Sequence, residues 1–95
     1  IIIIQSDHGS AFGVNLQDPT DDDVFQRLSN FNAIYFPDEK HREMLTYDRT
    51  NVNTFRIVFN TYFGSDYEML EDRTYWGLSI KQPFWFKDVT SILLN

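Results

Sequence analysis

Cysteine, basic residues and long apolar runs are what this sequence has least of. It contains no cysteine, so no disulfide and no thiolate metal site can form. No apolar run approaches the roughly 18–20 residues that a transmembrane helix needs, so we expect no membrane contact by this segment. Eight Lys and Arg stand against fourteen Asp and Glu, for a net charge of −6. Nucleic acid is therefore not an expected partner, because its phosphate backbone requires a basic face, whereas a cation site or simple solubility fits this balance.

Aromatic residues are abundant by contrast, at 17% of the 95 residues. So much aromatic surface favours a packed core over disorder, and the length suffices for one domain. Periodicity and turn residues predict alternating strands and helices, which favours α/β layering with some parallel pairing. Phe55, Phe59 and Phe63 are expected in the core. The predicted elements are strands over 1–5 and 31–36, helices over 20–29 and 52–63, a hairpin of 75–80 with 83–86, and a closing helical turn over 88–93.

The N-terminal segment Ile1–Ile4 is a run of β-branched residues. Such a run is typical of a central strand that is buried on both faces. Because a chain rarely begins inside a core, we expect these 95 residues to be part of a larger domain. Without its neighbours, the strand would expose apolar side chains and an unpaired edge, which favours self-association.

A polar turn, Ser6-Asp7-His8-Gly9, follows this strand directly. Ligand sites of α/β sheets lie beyond the carboxyl ends of strands. Asp offers a hard oxygen ligand and His a nitrogen ligand, and both can face one ion where the strand alternation has ended. Gly9 permits a sharp turn. The four residues alone fit two interpretations: Asp7 and His8 bind a metal, or Asp7 caps backbone amides in a turn that leaves His8 on the surface.

This strand, its turn and the segments downstream resemble one superfamily. The Ile run that ends in Gln5-Ser6-Asp7-His8-Gly9-Ser10 is similar to the late metal-binding strand of the alkaline phosphatase superfamily, which includes the sulfatases. The ordered series is more specific than Asp-His-Gly alone, and the resemblance covers most of the chain. Three downstream segments resemble sulfatase-like proteins in the same order. Residues 27–37 resemble a strand that ends in proline, residues 52–60 and 62–64 resemble the helix that follows it, and residues 70–76 resemble the segment after that helix.

The resemblance implies a fold and a chemistry. The expected fold is the α/β sandwich of alkaline phosphatases and sulfatases, with a mostly parallel sheet and flanking helices, and residues 1–95 would be the C-terminal part of its catalytic domain. The implied activity is metal-dependent hydrolysis or transfer on phosphate or sulfate esters. Asp7 and His8 match the superfamily's Asp-His metal ligands, with zinc, manganese, calcium and magnesium not distinguished. The superfamily's nucleophile and other ligands lie upstream, so no catalytic residue is assigned and the isolated chain is expected to be inactive.

Two further residues are candidates for contacting an anionic substrate. Arg56, on the polar side of the second predicted helix, could clamp an anion with its forked guanidinium or form an ion pair with an acidic neighbour. His41, which lies among charged residues in a loop, could reach the site or be solvated. Many sulfatase-like proteins face outward from a membrane anchor, which implies an extracytoplasmic location for the parent.

A second class of function competes with the enzyme hypothesis. The chain could be a non-catalytic, aromatic-rich interaction module in which Asp7 and His8 only cap a turn. The closing segment is rich in aromatic residues, and Trp85 is expected to face outward, where it could pack on a partner.

Overall fold

The computed structural model describes residues 1–94 and combines helices with two small antiparallel sheets. Within that range, no helix is long and apolar enough to cross a membrane. In chain order the elements are β1 (Ile2–Gln5), α1 (Asp21–Leu28), β2 (Asn32–Tyr35), α2 (Glu39–Arg42), a 3-10 turn (Asn51–Asn53) that leads into α3 (Thr54–Tyr62), β3 (Tyr75–Gly77), β4 (Phe86–Asp88) and α4 (Thr90–Leu94).

Helix α1 begins where the sequence predicts, because its first turn carries residues that satisfy free backbone N–H groups. The Thr20 hydroxyl accepts a hydrogen bond from the Asp23 backbone N–H at 3.2 Å, and the Asp23 carboxylate accepts one from the Thr20 N–H at 3.0 Å. Asp21 and Asp22 add negative charge at the positive end of the helix dipole. The helix ends at Leu28, close to the predicted limit.

Helix α3 confirms the predicted helix but buries a different face. Ile57 and Val58 are buried, whereas Phe55, Phe59 and Phe63 are exposed. The three phenylalanines pack along the helix surface, with successive ring centroids 6.2 and 5.8 Å apart. The expectation that they form the core is therefore wrong for the described chain, because the face that meets the β1–β2 sheet is the neighbouring one.

Strands β1 and β2 pair antiparallel, with Ile2 opposite Tyr35 and Gln5 opposite Asn32. The order strand–helix–strand predicts a parallel pair, and the observed antiparallel pair corrects that prediction. The C-terminal end of α1 lies beside the turn after β1, so the chain enters β2 from the end at which β1 stops. Strands β3 and β4 also pair antiparallel, which confirms the C-terminal hairpin with shifted strand limits. The mostly parallel sandwich is not seen among residues 1–94 and stays a prediction.

Strand β1 is exposed on one face rather than buried on both. Ile2 and Ile4 are 56% and 57% exposed, and Ile3 alone of the strand's isoleucines packs against a buried cluster. Within the described chain β2 is the only strand that pairs with β1, so the exposed isoleucines agree with what the sequence predicts for this strand without its neighbours. Its burial on both faces in a larger domain stays a prediction. Among residues 1–94, the outer edge of β1 has no partner strand and its Ile2–Ile4 face is exposed.

The buried apolar side chains form two separate clusters. Val24, Trp76 and Val89 connect α1 with the C-terminal hairpin, and Phe36, Ile57 and Val58 connect α3 with the first sheet. Burying a side chain of this size stabilises the fold by about 1.5–3 kcal/mol. The turn after β1 therefore joins two separately anchored parts, β1 on one cluster and α1 on the other.

We expect the chain to self-associate through β1, because an open strand edge and exposed isoleucines favour pairing with another copy. Sedimentation at several concentrations should give an average mass that rises above 11.3 kDa. Ile4→Lys should keep the chain monomeric, whereas Ile80→Lys, at a fully exposed isoleucine outside the sheet, should not. A wild-type monomer at every concentration would contradict this prediction.

Acid should destabilise the fold in part through Asp88. Hydrogen bonds from Thr90, one of them from its backbone N–H at 2.9 Å, hold the pKa of this carboxyl below its usual value, and Arg73 adds to the effect. A lowered folded pKa means that the stabilisation is complete above the ordinary Asp pKa and is lost as the pH falls through the folded value.

We therefore expect Asp88→Asn to weaken the fall in unfolding free energy between about pH 5 and pH 2, measured by chemical denaturation. Asp66→Asn, at an exposed carboxylate, is the control and should leave the wild-type dependence intact. An equal pH dependence in all three proteins would show that Asp88 makes no such contribution.

Candidate metal site

The turn that carries Asp7 and His8 starts at a firmly held serine. The Ser6 N–H donates to the Phe31 carbonyl at 2.9 Å, and the Ser6 hydroxyl accepts from the Phe31 N–H at 2.9 Å. The Asn30 side-chain amide donates to the Ser6 carbonyl at 2.9 Å. These three bonds extend the β1–β2 pairing by one residue, so the turn leaves the sheet at a fixed point.

Gly9 then brings the turn against the C-terminal end of α1. Its N–H donates to the Arg27 carbonyl at 2.7 Å, which satisfies one of the carbonyls left free at a helix end. A Cβ on this residue would overlap the Gln26 carbonyl oxygen and lie 2.7 Å from that of Ser29. Sequence reasoning assigned Gly9 to a sharp turn, whereas the structure requires glycine because two backbones approach closely.

Asp7 and His8 extend from this turn into solvent. The Asp7 side chain is 86% exposed and that of His8 46% exposed, and Asp7 Oδ2 lies 3.5 Å from His8 Nε2. Two ligand atoms on one tetrahedral Zn²⁺ lie about 3.3 Å apart, given metal–ligand distances of roughly 2.0–2.2 Å. The two side chains therefore fit a shared divalent ion after only a small adjustment.

The other ring nitrogen of His8 has two competing neighbours. Nδ1 lies 2.8 Å from the Gly9 carbonyl oxygen and 2.7 Å from Arg27 Nη1. A protonated Nδ1 donates to the carbonyl and leaves the Nε2 lone pair for a metal, which is the arrangement usual for metal-binding histidines. An unprotonated Nδ1 accepts from Arg27 and places the proton on Nε2. Arg27 also donates to the Gly9 carbonyl at 3.0 Å, so it can release Nδ1 and keep a partner.

Asp7 and His8 lie on the rim of an open cavity of about 730 Å³. Its lining includes a polar group that sequence reasoning missed, formed by Asn32, Arg49, Asn51 and Asp72. Among residues 1–94, no three His, Asp or Glu side chains come close enough to hold a metal ion together. Asp7 and His8 are thus a two-ligand set within the described chain.

Arg49 and Asp72 come together through the segment before α3. The Thr50 N–H and hydroxyl donate to Asp72 Oδ1 at 2.7 and 2.8 Å, and the Asn53 amide approaches Asp72 Oδ2 at 3.4 Å. Burial lowers the pKa of the Arg49 guanidinium, and the negative charge of Asp72 offsets part of that change. Arg49 stands in a polar stretch before the second predicted helix, and Asp72 stands in the segment 70–76, so neither was singled out as a site residue. One sequence feature could have indicated this polar group: Asn53 and Thr54 are polar residues at the start of a predicted helix, where apolar residues would be expected to pack.

The two weaker sequence candidates are elsewhere. Arg56 donates to the Val52 carbonyl, in the 3-10 turn that leads into its helix, at 2.6 Å. His41 lies in α2, 3.4 Å from Asp38 Oδ2, with its ring edge-on to Tyr62 at a centroid distance of 5.4 Å. Neither side chain lines the cavity that Asp7 and His8 border. The structure therefore does not bring these candidates together with the Asp-His pair.

Comparison with known proteins adds no assignment. No family model, no curated protein and no solved structure matches the chain.

Gly9→Ala should destabilise the fold strongly, because the added methyl group would overlap backbone carbonyls that cannot move without unwinding α1. Overpacking of this kind costs about 1–3 kcal/mol. Gly77→Ala is the matched control, since a Cβ there meets open space. Denaturant unfolding of the two variants should differ by at least about 1 kcal/mol. Equal stabilities would mean that Gly9 does not contact α1 as described.

Proposed function

We propose that this chain supplies Asp7 and His8 as two ligands of a divalent metal ion in a sulfatase-like hydrolase or transferase of the alkaline phosphatase superfamily. The substrates would be phosphate or sulfate esters. One observation carries the proposal: Asp7 Oδ2 and His8 Nε2 lie 3.5 Å apart, exposed, on a turn fixed at both ends. The ordered resemblance of the downstream segments is the second support.

Each residue of the turn has a separate task in this proposal. Asp7 provides negative charge that attracts the cation, and His8 provides a neutral nitrogen ligand. The Gly9 carbonyl holds the Nδ1 proton of His8, so that Nε2 stays unprotonated. When bound, the metal ion would neutralise charge on the ester oxygens as the bond to the leaving group breaks.

Two ligands fill only part of a coordination sphere, since Zn²⁺ takes four ligands and Ca²⁺ takes six to eight. The proposal assigns the missing ligands and the nucleophile to other parts of a larger catalytic domain. The larger protein would be anchored in a membrane, with its catalytic domain facing the outside of the cell. One carboxylate and one imidazole do not distinguish among zinc, manganese, calcium and magnesium, because the imidazole suits zinc and the carboxylate suits the harder cations.

The interaction module remains the second candidate, and one observation favours it. Phe55, Phe59 and Phe63 form an exposed aromatic row on α3, and Tyr67 packs beside Phe59 with a centroid distance of 6.1 Å. Exposed aromatic rows are common in protein interfaces. In that case the Asp7 and His8 side chains would have no metal to bind, so the two candidates differ in the result of a metal titration.

We expect the isolated chain to bind Zn²⁺ and Mn²⁺ weakly, because water must fill most coordination positions. Titration calorimetry should give an affinity well below that of a complete site. His8→Ala and Asp7→Ala should each abolish metal binding. His41→Ala is the matched control, because His41 also has an aspartate beside it, and this variant should leave the affinity unchanged.

Three outcomes would contradict the proposal. Metal binding that survives both His8→Ala and Asp7→Ala would show that another site binds the ion. Submicromolar affinity that is lost in His8→Ala would show that the chain, alone or as a dimer, completes the site by itself. In the parent enzyme, Asp7→Ala should remove most of the activity toward aryl phosphate or aryl sulfate esters, and full activity there would also refute the assignment.

A further inference from the structure

Arg49 is a charged side chain in the same cavity as the Asp-His pair, and no role has yet been assigned to it. It stands directly before the segment that leads into α3, and its guanidinium is half-buried in the cavity wall. Burying a charge costs free energy unless a partner compensates for it. The positive charge of Arg49 therefore needs a compensating group.

The guanidinium is held rigidly by two neutral acceptors. Nη1 donates to the Thr54 hydroxyl at 2.6 Å, and Nη2 donates to the Asn32 side-chain oxygen at 3.3 Å. Asn32 is itself fixed by a 2.6 Å hydrogen bond to Asn51, and Thr54 is only 1% exposed. Because its orientation is already set, Arg49 would lose little conformational freedom on binding a ligand.

The hydrogen-bonding capacity of Arg49 is only partly used. A guanidinium has five N–H donors, and Thr54 and Asn32 engage two of them. The Arg49 Nε atom is buried and finds no acceptor among residues 1–94. Within the same range, the side chain forms no ion pair. Asp72 is the nearest source of opposite charge, but Thr50 already supplies two donors to one of its oxygens.

A purely structural role explains only part of this arrangement. The bonds to Thr54 and Asn32 connect the start of α3 with the start of β2, and a neutral side chain could make the same two bonds. A positive charge that is partly desolvated, rigid and without an ion pair fits an anion site better. The open volume next to it can take a tetrahedral oxyanion.

We propose that Arg49 binds a tetrahedral oxyanion, the phosphate or sulfate group of a ligand, in the cavity bordered by Asp7 and His8. Anion binding itself does not require the metal, but the identification of the anion with the ester substrate rests on the function proposed above. Asp7, Asp48 and Asp72 also belong to the lining, and their negative charges oppose the entry of an anion. Removal of the Asp7 charge should therefore strengthen anion binding while it weakens metal binding.

The test is an NMR titration of the metal-free chain with inorganic phosphate, sulfate and chloride at constant ionic strength. We expect a saturable change in the Arg49 Nε–H signal and in the Asn32 and Asn51 amide signals with phosphate or sulfate, and none with chloride. Arg49→Gln should reduce the affinity roughly tenfold or more, the effect of a charge-assisted hydrogen bond. Arg49→Lys keeps the charge but loses the forked guanidinium, so its affinity for the anion should lie between those of the wild type and Arg49→Gln.

Arg56→Gln is the matched control, because that guanidinium donates to the Val52 carbonyl in the turn before α3 and does not line the cavity. It should leave the affinity unchanged. Asp7→Asn should raise it, which separates this proposal from the metal assignment: metal binding that survives both His8→Ala and Asp7→Ala, together with intact anion binding at Arg49, would refute the metal site alone. The anion proposal is overturned if chloride acts like phosphate and sulfate, if wild-type signals of Arg49 do not respond, or if folded Arg49→Gln binds as well as wild type. The wild-type titration decides the matter even if a variant fails to fold.

Discussion

The close approach of the Gly9 backbone to the last carbonyls of α1 is the contact on which the rest of the site depends. The hydrogen bond from Gly9 to the Arg27 carbonyl, together with the lack of room for a Cβ, places the turn after β1 directly on the helix end. Because the helix ends there, β2 must start beside the point where β1 stops, and an antiparallel pair results. The same contact puts Arg27 next to the His8 ring.

This arrangement gives the cavity two chemically different sides. On the rim, an exposed carboxylate and an imidazole offer ligands to a cation. In the wall, a guanidinium that is fixed by Thr54 and Asn32 offers donors to an anion. A metal ion on the rim would offset the charge of Asp7 and so favour binding of an anion near Arg49. By linkage, a bound anion would raise the affinity for the metal ion by the same factor. A cation and an ester oxyanion that bind side by side are what a metal-dependent phosphatase or sulfatase requires.

The sequence predicts the parts of this structure that depend on neighbours along the chain. Thr20 and Asp23 cap α1 within one turn, and Gly64, with φ of 68°, ends α3 where a glycine is expected. The place of the polar turn at Asp7 and His8 was also predictable, because a polar pair follows a β-branched run, whereas their role as metal ligands stays a prediction. Long-range contacts were not predictable in this way. Sequence periodicity does not show which of two adjacent apolar faces of α3 meets the sheet, so Phe55, Phe59 and Phe63 were wrongly placed in the core. Only the fold brings Arg49 beside Asn32, which lies 17 residues earlier in the chain.

Paramagnetic broadening by Mn²⁺ tests the central claim most directly, because it locates even a weakly bound ion. The account predicts that traces of Mn²⁺ broaden the amide signals of Asp7, His8 and Gly9 first, with Arg27 next because its carbonyl contacts Gly9. The signals of His41 and of the acidic first turn of α1 at Asp21–Asp23 should persist at the same ion concentration. Broadening that begins at Asp21–Asp23 or at His41, with the Asp7–Gly9 signals intact, would contradict the assignment of Asp7 and His8 as a metal-ligand pair.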